Sequence, residues 1–188
     1  METGQAKQQH WIYVIGGAEL KEKARQWEQR KTGQGKAYAV ISGSQPGSES
    51  ATLANVESED VLYVLAGEVR DGKLGSAAFE PRELAAHLRK HGLPEGHREL
   101  KIFASRSGDE DGGPSYVEKL YQAMLAAYPD IVVFGYRGQV DPDGFDGHKT
   151  AGLGATESLD AMTRDEWTAK GARARDNRVE FPPDAKPV

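Results

Sequence analysis

The chain has no cysteine among its 188 residues, which excludes disulfides, thiolate metal sites and a thiol nucleophile. It has no long apolar run either. The longest nearly apolar stretches, 61–67 and 131–135, fall far short of the roughly 20 residues a helix needs to span a bilayer. Basic charge is not in excess: 24 Lys and Arg stand against 29 Asp and Glu, a formal net charge of −5. Both nucleic acid and anionic membrane surfaces call for a basic face, so neither is an expected partner. The opening METGQAKQQH carries no apolar stretch of the secretory type. The expectation is a cytoplasmic protein, or one exported without a cleavable signal.

What is present is ordinary for a globular domain: 38% hydrophobic and 28% charged residues in a length that one core can serve. A single α/β domain over 1–188 is expected, with flexible tails at 1–9 and 181–188 and a mobile loop at 45–60, where Gly, Ser and Glu dominate. Short β-branched and aromatic runs at 11–15, 37–41, 61–69, 100–104 and 131–134 are bounded by Gly, Ser or Asp, which predicts strands. Their near-continuous apolarity suits strands covered on both faces. Helical periodicity lies between them. Leu20, Ala24 and Trp27 share one face, as do Leu84, Ala85 and Leu88 behind Pro81. A capping pair, Ser115 and Glu118, opens a stripe of Val117, Leu120, Tyr121, Met124, Leu125 and Tyr128. The order β-α-β-β-α-β-α-β predicts a three-layer sandwich around a mostly parallel sheet.

In such sheets ligands sit beyond the carboxyl ends of the strands. Those ends read Gly16-Gly17, Ser42-Gly43-Ser44, Ala66-Gly67-Glu68, Ser105-Arg106-Ser107-Gly108 and Gly135-Tyr136-Arg137-Gly138. Small residues at all five leave room for a groove, although each alone is explained by ordinary strand termination. The dinucleotide fingerprint fails at Gly16-Gly17-Ala18-Glu19, and neither a Walker sequence nor a nucleophile elbow occurs. No cofactor is expected. His87 and His91 have the spacing of a two-histidine metal site but lack a third ligand, so a solvated helix face is preferred. The acidic runs at 109–111 and 141–146 lack the spacing of a calcium loop and are better explained as turns. No metal is expected.

From residue 61 the chain resembles the caspase-fold cysteine peptidases, in particular the self-cleaving domains of large bacterial toxins. The likeness runs through Val61-Leu-Tyr-Val-Leu-Ala-Gly67, the helix containing Glu83-Leu84-Ala85, Leu100-Lys-Ile-Phe-Ala-Ser-Arg-Ser-Gly108 and the segment from Ile131 to Gly144. It covers about half the chain and implies a caspase-like sandwich. In that family the third strand ends in His-Gly and the fourth in a Cys shortly before a Gly. Ala66 stands at the His position and Ser105 at the Cys position, with Arg106 next in line if the loop shifts by one. An alanine transfers no proton, and a serine without an adjacent base is a poor nucleophile. With both positions changed, the resemblance implies native loss of the dyad and a pseudoenzyme.

The function expected is therefore that of a non-catalytic interaction protein, in the setting of a bacterial secreted effector or toxin-associated factor. A protein partner would occupy a groove of Gly67, Glu68, Arg106, Ser107, Tyr136 and Arg137. The alternative is a hydrolase using Ser105 and Glu68, with Arg106 and Arg137 in support. The toxin domains are switched on by inositol hexakisphosphate, so Arg173, Arg175 and Arg178, with Arg164 and Lys170 nearby, form a candidate anion site. For that cluster a solvated, salt-bridged face is the preferred reading.

Overall fold

The computed structural model describes residues 8–41, 52–142, 150–153 (main chain only) and 173–183. The elements follow the apolar runs: β1 His10–Val14, α1 Ala18–Gly33, β2 Tyr38–Ile41, β3 Val61–Arg70, β4 Lys73–Leu74, α2 Pro81–Lys90, β5 Glu99–Ser105, α3 Tyr116–Met124, β6 Val132–Tyr136, β7 Gln139–Asp141, β8 Thr150–Leu153 and β9 Arg178–Phe181. A 3-10 turn over Ala174–Asn177 leads into β9. The main sheet has the order β2-β1-β3-β5-β6-β9, with β4 folded back on β3. Its first five strands run parallel, and β9 is antiparallel to β6. β7 and β8 form a separate antiparallel pair.

Sheet polarity and burial produce the expected layers. One face carries α2 and α3 over a core that includes Tyr13, Val64, Leu84, Leu88, Leu120 and Val133. The other carries α1, whose Ala24 and Trp27 pack with Ile12, Tyr63, Leu65 and Phe103. Trp27 is fully buried and meets Tyr63 edge-on at 4.9 Å between ring centroids, an arrangement that aromatic quadrupoles favour. The expected α/β class with a mostly parallel sheet is thus the observed one, and helices cover both of its faces.

Local chemistry accounts for the helix limits. Glu19 lies in the first turn of α1 and Arg30 and Lys31 in the last, as the helix dipole prefers. In α2, Pro81 occupies the first turn, and the Glu83 carboxylate accepts from the Glu80 N–H at 2.8 Å. Gly92 follows at φ +93°, a conformation that glycine adopts without a Cβ penalty. The Ser115 hydroxyl accepts from the Glu118 N–H at 3.2 Å, so half of the expected capping box forms.

Two segments differ from expectation. Of the expected loop at 45–60, residues 45–51 lie outside the described residues, but 52–60 are anchored. Leu53 and Val56 are buried in the core beneath α2 and α3, and the Asp60 carboxylate accepts from Trp11 Nε1 and Glu57 N–H. Two apolar side chains in a polar stretch suffice, because each buried one is worth roughly 1.5–3 kcal/mol. Nor does the expected tail begin at Phe181. That residue ends β9 and pairs with Val133, while 184–188 lie outside the described residues, as do 1–7 at the other end. Leu53→Ala should cost about 2–5 kcal/mol of unfolding free energy in urea denaturation, the range for truncating a core leucine. A loss below about 0.5 kcal/mol would place Leu53 outside the core.

Candidate functional site

The C-terminal ends of β3 and β5 are brought side by side by their ladder, which pairs Leu65 with Phe103 and then jumps to pair Glu68 with Ser105. Ala66 and Gly67 are skipped by that register, as in a bulge, which bends a strand locally and re-aims its side chains. Their environments differ. Ala66 is 2% exposed and belongs to the core. It is roofed by Gly75, where an added Cβ would come within 3.3 Å of the Ala66 methyl. Gly67 is exposed, and a Cβ placed on it would meet nothing within 4 Å.

Ser105 is half-buried and its hydroxyl accepts from the Val140 N–H at 3.1 Å. Among the described residues no histidine or carboxylate is hydrogen-bonded to it. Glu68, its ladder partner, has Oε1 held by Arg70 at 2.6 and 2.8 Å. Four of the five histidines fall in described residues, and none is at this end. His10 starts β1, His87 lies on α2, His91 caps its C-terminus, and His97 precedes β5.

The loop after Ser105 is tied to the β6–β7 turn by main-chain and side-chain bonds. Arg106 N–H donates to Gly138 O at 2.7 Å and Gly108 N–H to Tyr136 O at 2.9 Å. Ser107 is fully buried. Its hydroxyl donates to Ile102 O and accepts from Tyr136 N–H, each at 3.0 Å. Arg106 stands at φ +63°, a left-handed conformation costly for a side chain with a Cβ. Its exposed guanidinium reaches Asp109 and Asp111. Asp109 and Asp111 stabilise the Arg106 charge, and the Glu68–Ser105 pairing sets Glu68 beside the start of this loop. The acidic run at 109–111 is explained by these contacts and by Asp109 Oδ1 accepting from Gly138 N–H at 2.9 Å.

Of the expected groove residues, Gly67, Glu68 and Arg106 gather with Ser105 on one rim, and Arg137 is exposed beside it, with its N–H donating to Asn177 O. Ser107 and Tyr136 do not line a groove. The Tyr136 ring packs edge-on against Phe103 at 4.9 Å in the α1-side core. Burial drives its phenol well above the ordinary value. Strand alternation, which sends successive side chains to opposite faces, put Tyr136 inside. Two of the candidate anion residues have ion-pair partners of their own: Arg175 pairs with Asp176, and Arg178 pairs with Glu180 and lies 4.5 Å from the Phe134 ring centroid. Arg164 and Lys170 lie outside the described residues, as does most of the 141–146 run.

His87 is also accounted for locally. Its Nε2 meets the Tyr13 hydroxyl at 2.7 Å, and its ring lies 4.8 Å from Phe79 and 4.3 Å from His91. No group of three His, Asp or Glu able to hold a metal occurs among the described residues. No helix among them is long and apolar enough to cross a membrane. Neither the family models nor the curated proteins searched contain a match to this chain.

A Cβ on Gly108 would come within 2.6 Å of Val179 Cγ2 and 3.1 Å of the Tyr136 backbone. Gly108→Ala should therefore cost about 2 kcal/mol or more by overpacking, whereas Ser105→Ala should stay within about 1 kcal/mol, both read by urea unfolding. His87 is lowered from 6.5 to about 4 by burial, with His91 and Lys90 adding to it. The unfolded chain therefore takes up the proton first. The His87 contribution is complete above about pH 6.5, shrinks as pH falls, and is gone below about 4. Allowing for partial exposure, His87→Gln should remove about 1–2 kcal/mol of the acid-side loss. Equal pH slopes in the two proteins would refute that assignment.

Proposed function

We propose that this domain is a non-catalytic binding module, a degenerate relative of the caspase-fold cysteine peptidases. Its rim at the ends of β3 and β5 would hold an extended segment of a protein partner. The observation that carries this reading is the bulge that sets open, exposed Gly67 beside a Ser105 with no base hydrogen-bonded to it among the described residues. An extended segment is suited to such a place because main-chain pairing supplies affinity where no side-chain pocket exists. The buried position of Ala66 under Gly75 adds support, since it leaves no room for an imidazole where the resembling family keeps its histidine. The setting of a bacterial secreted effector or toxin-associated factor rests on the resemblance alone.

The test is a displayed-peptide selection against the wild-type chain, with enriched sequences re-measured on variants. Gly67→Ala should bind them as wild type does. Gly67→Trp should weaken them at least about tenfold, or 1.4 kcal/mol, with an unchanged melting temperature because the new side chain enters open space. Recovered peptides should be intact. Unchanged affinity in Gly67→Trp would move the binding surface elsewhere, and cleavage lost in Ser105→Ala would establish the hydrolase alternative.

A further inference from the structure

At the opposite end of the sheet, where β1 and β2 begin, a cavity of about 540 Å³ opens between the end of α1 and the first strand residues. It is lined by Gln8, His10, Lys31, Lys36, Tyr38 and Tyr63 among others, and its size falls within the range of small-molecule sites. Lys31 is its unusual member. Only 9% of its surface is exposed, yet among the described residues its ammonium has one hydrogen-bond partner, the neutral Gln34 Oε1 at 3.4 Å. No carboxylate is paired with Lys31 or Lys36 among the described residues. Burial lowers the Lys31 pKa, and the nearby Lys36 and Arg30 charges lower it further. A buried charge without a counter-charge is costly, which is why such lysines are ordinarily paired.

The same chain shows the ordinary solution two strands away. Lys101 is equally buried, but it forms an ion pair with Glu99 and lies 5.3 Å from the Tyr63 and Phe134 ring centroids. Among the described residues Lys31 has no such carboxylate partner. Placement at the C-terminus of α1 favours a cation there, but that field is spread over Arg30 and Lys31 and does not fill the cavity. Beside the ammonium lies an aromatic wall: His10 stacks on Tyr38 at 4.5 Å with planes 8° apart, and Tyr38 lies over Tyr63 at 6.3 Å.

We propose that this cavity binds a small organic anion, a phosphate monoester or carboxylate carried on a planar ring. Lys31 supplies the counter-charge inside, Lys36 supplies a second at the exposed mouth, and the Tyr38 side of the wall receives the ring. The two lysines would draw such an anion into an otherwise acidic protein over a short distance. This site is independent of the β3–β5 rim.

Isothermal titration of the full chain with phenyl phosphate, benzoate and inorganic phosphate, at low and at physiological salt, tests it. At least one ring-bearing anion should bind at sub-millimolar concentration, more tightly than inorganic phosphate and more weakly as salt rises. The preferred head group distinguishes phosphate from carboxylate. Lys31→Met should weaken binding at least about tenfold while melting at the same or a higher temperature, because an unpaired buried charge has been removed. Lys36→Ser, an exposed change, should weaken binding severalfold and serves as the second variant should Lys31→Met fail to fold. Absence of binding by both ring-bearing anions would overturn the proposal. So would unchanged affinity in a folded Lys31→Met, or in Lys36→Ser where the first does not fold. Inorganic phosphate binding as tightly as phenyl phosphate would overturn the role of the aromatic wall.

Discussion

β3 is the strand on which everything else is registered. Its first five residues pair with β1 on one side and β5 on the other, from Val61 to Leu65. All of Val61–Ala66 is buried, so slippage by one residue would turn Val64 and Leu65 to the wrong core. That penalty fixes where the strand must end relative to its neighbours. It also places the irregularity of the β3–β5 ladder, the jump between Leu65 and Glu68, at the C-terminal edge. Every residue of the β3–β5 rim takes its position from that jump.

The same constraint shapes the rim itself. β5 leaves the sheet through Ser107, whose buried hydroxyl joins Ile102 O to the Tyr136 N–H. Gly108 then passes so close to Tyr136 and Val179 that no Cβ fits. A turn held this tightly fixes the Ser105 hydroxyl on the Val140 N–H, while Glu68 is turned to Arg70. Rigidity of this kind suits presentation of a fixed surface, since little ordering remains to be done when a partner docks.

The strands were legible because their composition is nearly uniform: Val, Ile, Leu and aromatic residues in short runs leave few alternatives for 61–65 or 100–104. β9 was not. Arg178-Val179-Glu180-Phe181 is half charged, and its strand character comes from the β6 edge it covers rather than from its own propensity. Leu53 and Val56 were hidden by polar neighbours for a similar reason: burial is a property of the surface they meet. At the rim, Ala66, Gly67 and Glu68 read as one strand end, yet the bulge separates them into a core methyl, an open glycine and an ion-paired carboxylate. A register shift has no compositional signal in a single sequence. Ser107 and Tyr136 are buried for other reasons: the Ser107 hydroxyl bridges Ile102 O and Tyr136 N–H, and the Tyr136 ring packs on Phe103.

Lys31 shows the limit most sharply. On a helix whose exposed positions carry Glu, Lys, Arg and Gln, it reads as one more solvated charge. The turn at Gln34–Ala37, with Gly35 at φ +73°, folds the chain back so that β2 and its Tyr38 close over the end of α1. That closure makes a lysine that reads as solvated one of the covered residues. Where Lys101 shows that this fold can neutralise a buried ammonium with a carboxylate, Lys31 has no such partner among the described residues and keeps its desolvation cost. A cost of that kind is compatible with stability only if it is small beside the core, and it is offset when an anion arrives. The two ends of the sheet therefore differ in kind: at one a register jump exposes main chain, and at the other a helix end buries charge.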